Sequence, residues 1–72
     1  MPIESQVLDA SYRGYDYSLT IARHQNGFTV EVDIHVDRYP TRPEGGLHPD
    51  YEAAKKKGSE LAQRLIDQLI NS

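Results

Sequence analysis

The stretch Phe28-Thr29-Val30-Glu31-Val32-Asp33-Ile34-His35-Val36-Asp37 decides how this chain folds. Phe28, Val30, Val32, Ile34 and Val36 alternate with Thr29, Glu31, Asp33, His35 and Asp37. Successive side chains of a strand point to opposite faces, so this pattern predicts a strand with one buried face and one wet face. Asn26-Gly27 precedes it, the pair favoured in a two-residue type I′ hairpin turn. That turn predicts Ile21 opposite Val32, Leu19 opposite Ile34 and Tyr17 opposite Val36 on the inner face. Thr20 then faces Asp33, Ser18 faces His35 and Asp16 faces Asp37 on the outer one. Apolar meets apolar and polar meets polar, and a one-residue slip would destroy the match.

Working toward the N-terminus, Arg13-Gly14 is either a second tight turn or a glycine bulge in one bent strand. As a turn it sets Tyr12 opposite Tyr15, Ala10 opposite Tyr17 and Leu8 opposite Leu19. Working toward the C-terminus, Pro40, Pro43, Gly45 and Gly46 exclude a helix or central strand between Arg38 and His48. A helix follows from about Pro49 to Ile70. Pro49 suits its first turn, Asp50 and Glu52 suit the positive end of its dipole, and Asn71 suits its exit. On a helical wheel Leu61, Ala62, Leu65, Ile66, Leu69 and Ile70 form one apolar arc, which Tyr51, Ala54 and Gly58 continue upstream. Glycine in a helix interior costs about 1 kcal/mol relative to alanine, so Gly58 on the buried stripe predicts close helix–sheet approach.

The fold class expected is α+β: one domain over residues 1–72, a three-stranded antiparallel meander with one C-terminal helix on one face. The strands are expected at about 7–12, 15–24 and 28–37, with a loop over 38–48. So short a chain rarely builds a core worth more than ~3–5 kcal/mol without a disulfide, a structural metal or a partner subunit. There is no cysteine, hence no disulfide and no thiolate zinc site. The helical arc is also wider than one small sheet needs. A homodimer is therefore expected, with Ile66, Ile70 and Val36 as contacts. The first six residues carry neither a basic n-region nor an apolar h-region, so no signal peptide is expected and the location read is cytoplasmic.

The chemistry-bearing residues form no recognisable catalytic pattern. No serine lies in a Gly-x-Ser-x-Gly setting, and no phosphate-binding Gly-Lys-Ser/Thr loop exists. His35, Asp37 and His48 have the composition of a two-His-one-carboxylate metal triad, but that triad belongs to a fold this chain is too short to build. Asp33, His35 and Asp37 share the wet strand face, which is read as an acidic surface in preference to a cation site. None of His24, His35 and His48 has a sequence-visible partner that would orient it as a general base. No catalytic residue, metal or cofactor is expected. The net charge of −3 disfavours non-specific binding to nucleic acid or anionic membranes. The one basic run, Lys55-Lys56-Lys57, fans around the helix, and Glu52–Lys56 and Glu60–Arg64 are favourable i, i+4 pairs.

Two families are similar in outline. From residue 28 to 69, a hairpin strand, a loop and Ala54-Lys55-Lys56-Lys57-Gly58-Ser59-Glu60-Leu61-Ala62-Gln63-Arg64-Leu65 resemble the second half of a double-stranded-RNA-binding domain. That resemblance implies RNA contacts at Lys55 and Lys56. Tyr15 to Val36 and Tyr51 to Ile70 resemble the HicB-type antitoxin domain and small bacterial proteins of β-β-β-α layout. This second likeness implies architecture without operator binding. The leading expectation is a non-enzymatic protein-interaction module of a small bacterial protein. The alternative is a module for double-stranded RNA or DNA that uses Arg38, Arg42, Lys55, Lys56 and Lys57.

Overall fold

A computed structural model describes residues 4–71 of the chain, so the Met1–Ile3 part of the leader reading lies outside the described residues. The chain runs β1 (Glu4–Tyr12), β2 (Tyr15–His24), β3 (Gly27–Ile34), β4 (Arg42–Pro43) and α1 (Tyr51–Ile70). All strand pairs are antiparallel, in the spatial order β1-β2-β3-β4. The α+β class and the meander are as expected. The fourth strand is an addition, two residues long.

Arg13-Gly14 is a turn. Arg13 at φ 51° and Gly14 at φ 86° supply the two positive angles that a type I′ turn requires. Tyr12 pairs with Tyr15, Ala10 with Tyr17 and Leu8 with Leu19, the register read from the sequence. Neither Gln25 nor Asn26, by contrast, has a positive φ, and the second hairpin turns on these two residues. Gly27 (φ 149°) is already in β3, paired with His24. The register is therefore offset by two from the one expected: Ile21 pairs with Val30, Leu19 with Val32, and Tyr17 with Ile34. An offset of two is one full pleat, so every side chain keeps its face and apolar matching cannot tell the two registers apart. In the register formed, Gly27 meets a segment outside the hairpin. A Cβ on Gly27 would lie 2.8 Å from the His48 carbonyl oxygen, so glycine is needed where the later loop crosses.

The offset also shortens β3, which ends at Ile34 instead of Asp37. After His35 N–H bonds to Asp16 C=O (2.9 Å), the chain turns, with Arg38 at φ 63° and Tyr39 N–H on Val36 C=O. Residues 39–48 then run back along the outer edge of β3. Val32 and Glu31 pair with Arg42 and Pro43, Val30 C=O accepts from Glu44 N–H, and Phe28 exchanges two 2.8 Å bonds with His48. The segment read as a loop thus covers one sheet edge, and Pro43 is tolerated because it lies on that edge.

Helix α1 begins at Tyr51, two residues past the expected start, so Pro49 precedes the N-cap instead of lying in the first turn. Asp50 is its N-cap, accepting from Ala53 N–H at 2.8 Å. The helix packs on β2 and β3, and its buried residues are Ala54, Gly58, Ala62, Leu65 and Ile66. They meet Tyr17, Leu19, Ile21, Val30, Val32 and Ile34 from the sheet. Ile66 is fully buried in this core (0 % exposed), so its expected role as a dimer contact is corrected. Val36, Tyr39, Tyr12 and Tyr15 pack against the same core as partly buried side chains. Part of the arc that looked too wide for the sheet is thus taken up in the core, while Ile70 stays 36 % exposed.

Gly58 is where helix and sheet come closest. A Cβ there would sit 2.7 Å from Val30 Cγ2 and 3.2 Å from Leu19 Cδ2. Both are side chains of the packed core, and Val30 has little rotamer freedom to yield. Gly58→Leu is expected to lower stability by about 1–3 kcal/mol through overpacking, despite leucine's better helix propensity. The urea midpoints of wild type and variant, compared at equal chain concentration, test this; a higher midpoint for the variant refutes the packing argument.

Candidate functional site

Side chains of chemical interest occupy three places: the uncovered sheet face, the loop beside the helix, and the free edge of β1. On the uncovered face, Ser18 Oγ donates to Asp9 Oδ1 at 2.7 Å and lies 2.8 Å from His35 Nε2. The composition is that of a serine–histidine–aspartate triad, but the proton order is wrong. A hydroxyl has one proton, and here it goes to the carboxylate, so His35 Nε2–H must donate to Ser18. A serine nucleophile needs the reverse, with a histidine nitrogen accepting its proton and the carboxylate behind the ring. Asp33 Oδ2 is 4.0 Å from the same Nε2. Asp16 faces His35 through the backbone bond already described, so the expected Asp16–Asp37 like-charge opposition is absent. Among the described residues no group of three or more His, Asp or Glu is arranged to hold a metal ion. The face is a polar surface knit by cross-strand hydrogen bonds, with Ser18 buried beneath its neighbours.

The other histidines also have partners that the sequence did not reveal. His24 Nε2 lies 2.7 Å from Thr29 Oγ1, diagonally across the hairpin. His48 Nε2 lies 2.7 Å from Glu44 Oε1, which also accepts from Gly46 N–H at 3.0 Å. Both side chains of the Glu44–His48 pair are largely shielded, at 22 % and 11 % exposure. The hydrogen bond from His48 holds the Glu44 carboxyl below the usual glutamate range, helped by the Gly46 N–H. A Glu and a His four residues apart, straddling Gly45-Gly46, was the available signal. This pair braces the loop that covers β3.

Of the candidate nucleic-acid residues, two are engaged by neighbouring side chains and three are exposed. Arg42 lies over the Tyr39 ring, 5.6 Å from its centroid, and Lys57 pairs with Glu60 at 3.6 Å. Lys55 and Lys56 are exposed, and neither forms an ion pair with a described residue. Arg38 is exposed at its positive-φ turn. Arg13, a cation that was not singled out, bonds to Asp67 at 2.9 Å and ties the first hairpin tip to the end of the helix; Tyr12 Oη reaches the same carboxylate at 3.4 Å. Among the expected dimer contacts, Ile70 is 36 % exposed and Val36 is partly buried.

The third place is an edge. A type I′ turn closes on a hydrogen-bonded pair, so Tyr12 and, two by two, Ala10, Leu8, Gln6 and Glu4 turn their backbone groups toward β2. Ser5, Val7, Asp9 and Ser11 turn theirs outward, where no described residue meets them. Val7 is the most exposed large apolar side chain described, at 59 %. Helix α1 does not extend over this strand, and only Leu8 and Tyr12 of β1 are even partly buried.

No protein-family model matches this chain, and no curated protein or solved structure does so either.

The Glu44 environment gives a pH-dependent expectation. A carboxyl whose pKa is lowered by folding adds stability above the ordinary glutamate pKa of about 4.3, and that stability is lost as pH falls through the lowered value. Glu44→Gln keeps an acceptor oxygen but removes the charge. At neutral pH it should cost about 0.5–1.5 kcal/mol, the difference between a charge-assisted and a neutral hydrogen bond. Urea midpoints measured from neutral to acid pH should converge as pH falls from the ordinary glutamate value of about 4.3 through the lowered one. A gap that persists unchanged in acid would show that the charge contributes nothing.

Proposed function

We propose that this chain is a non-enzymatic protein-interaction module that works as a homodimer. The observation that carries the reading is the contrast between the two sheet edges. The edge of β3 is covered by β4, Glu44 and His48, whereas the nine-residue edge of β1 has nothing beside it among the described residues. A long strand edge without cover is a template for another chain. Natural edges of this kind are blunted by charged side chains, lysine above all, by proline or by a bulge; between Glu4 and Tyr12 β1 has no lysine, proline or bulge, and its only charges are Glu4 and Asp9. The arrangement around Ser18 and His35 lacks the proton order that nucleophilic catalysis needs, which supports a binding role over an enzymatic one.

The nucleic-acid reading is the outcome that would displace this one. No helix among the described residues is long and apolar enough to cross a membrane, and the reading of a cytoplasmic bacterial module is part of the proposal.

Two measurements decide. Sedimentation velocity over a concentration series should show a monomer–dimer equilibrium. Binding to duplex RNA and duplex DNA, measured across a salt series, should be weak throughout. A steep salt slope, near −0.9 per phosphate contact on B-form DNA, together with loss of binding in the Lys55→Glu/Lys56→Glu variant would favour the nucleic-acid module instead. A chain that stays monomeric at every concentration would remove the homodimer.

A further inference from the structure

The free edge also specifies how two copies would fit. This inference rests on the homodimer reading and goes beyond it by naming the interface. We infer that the second copy joins through β1, antiparallel to its own equivalent, with the two-fold axis at Val7.

Backbone parity limits the choice. Only Ser5, Val7, Asp9 and Ser11 offer outward N–H and C=O groups, so a two-fold β1–β1 ladder must join members of this set. Three registers do so near the middle of the strand. Centred on Asp9, the ladder sets two carboxylates directly opposite each other, which repels. Centred on Leu8, it sets Val7 opposite Asp9 of the second copy, twice over, and brings the two Asp9 side chains onto one diagonal. Centred on Val7, it pairs Val7 with Val7 and Ser5 with Asp9, and it moves the two Asp9 side chains to either end. On the other face Gln6 then meets Leu8 and Glu4 meets Ala10.

The Leu8-centred ladder offers one more hydrogen-bonded pair than the Val7-centred one. Val7 decides against it. This side chain is 59 % exposed, and a β-branched residue directly across the axis from its own copy buries both, whereas a carboxylate opposite it would have to be desolvated. Asp9 keeps its bond from Ser18 (2.7 Å) and has acceptor capacity left for the Ser5 hydroxyl of the second copy.

Among the described residues nothing obstructs this union. Helix α1 lies over β2 and β3, so no described element overlies the strip of sheet next to the axis, where only Leu8 is partly buried against the core. The product is one continuous eight-stranded sheet with both helices on the same side, and the covered β3–β4 edges become its two outer borders.

The test uses the full chain. Val7→Lys and Val7→Glu each place like charges across the axis on an exposed side chain, so each should fold and raise the dimer dissociation constant at least about tenfold. Circular dichroism and urea unfolding confirm that the variants fold. Mixed in equal amounts, the two should restore a heterodimer, because lysine then faces glutamate. Val7→Cys should cross-link under mild oxidation faster than Leu8→Cys, since Cα atoms of a directly opposed hydrogen-bonded pair lie about 5.5 Å apart, within disulfide range. Faster cross-linking of Leu8→Cys overturns the register. A wild-type dimer that both charged variants leave intact overturns the β1 interface while leaving the homodimer in place. A monomeric wild type overturns both.

Discussion

Everything in this structure depends on the seat of one helix on two strands. A helix with its side chains is about 10 Å wide and neighbouring strands are about 4.8 Å apart, so a single helix covers little more than two strands. Here it covers β2 and β3, and it comes close enough to do so because Gly58 has no side chain between the helix backbone and Val30. Ala54 and Ala62 continue this small-residue seam along the axis, and Leu65 and Ile66 fill the space where it widens. A core of this size leaves little reserve, so the strands outside the helix's reach need other arrangements.

The two flanks are treated differently. On the β3 side the chain doubles back, and its proline- and glycine-rich segment becomes a border for the sheet, held by the Phe28–His48 bridge and braced by Glu44 on His48. On the β1 side the hairpin tip is tied to the helix where Arg13 and Tyr12 meet Asp67. The Asp67 carboxylate sits in the last turn of a helix, where the dipole disfavours negative charge, and the Arg13 guanidinium offsets it. Between that tip and Glu4 the outer edge of β1 stays open, and the proposed homodimer is a response to it.

The polar face shows how composition misleads without geometry. Asp9, Ser18 and His35 come together at hydrogen-bond distance and could be taken for a catalytic group. The direction of one hydroxyl proton separates a cross-strand tie from a nucleophile. Similarly, three lysines in a row suggest a phosphate-binding stripe, yet on the helix Lys57 turns to Glu60 while Lys55 and Lys56 face solvent. Of the three, Lys57 alone is engaged by an acidic neighbour among the described residues.

Short-range patterns were legible from the residues alone. Alternation at Phe28–Ile34 placed every side chain on its correct face, Arg13-Gly14 offered the first hairpin as one of two readings, and Gly58 located the helix–sheet contact. Each follows from local rules: a period of two, a pair of positive φ angles, and a penalty that glycine incurs in a helix unless something requires it. Tertiary structure decided what local rules leave degenerate. Two registers of the second hairpin bury the same side chains; in the one formed, Gly27 lies under the His48 carbonyl, a contact between residues far apart in the chain. The same holds for Ile66, whose full burial in the helix–sheet core is a tertiary outcome that hydrophobic periodicity within the helix cannot report. Residue pattern determines which face a side chain takes; which neighbour it meets is set by how distant segments close around it.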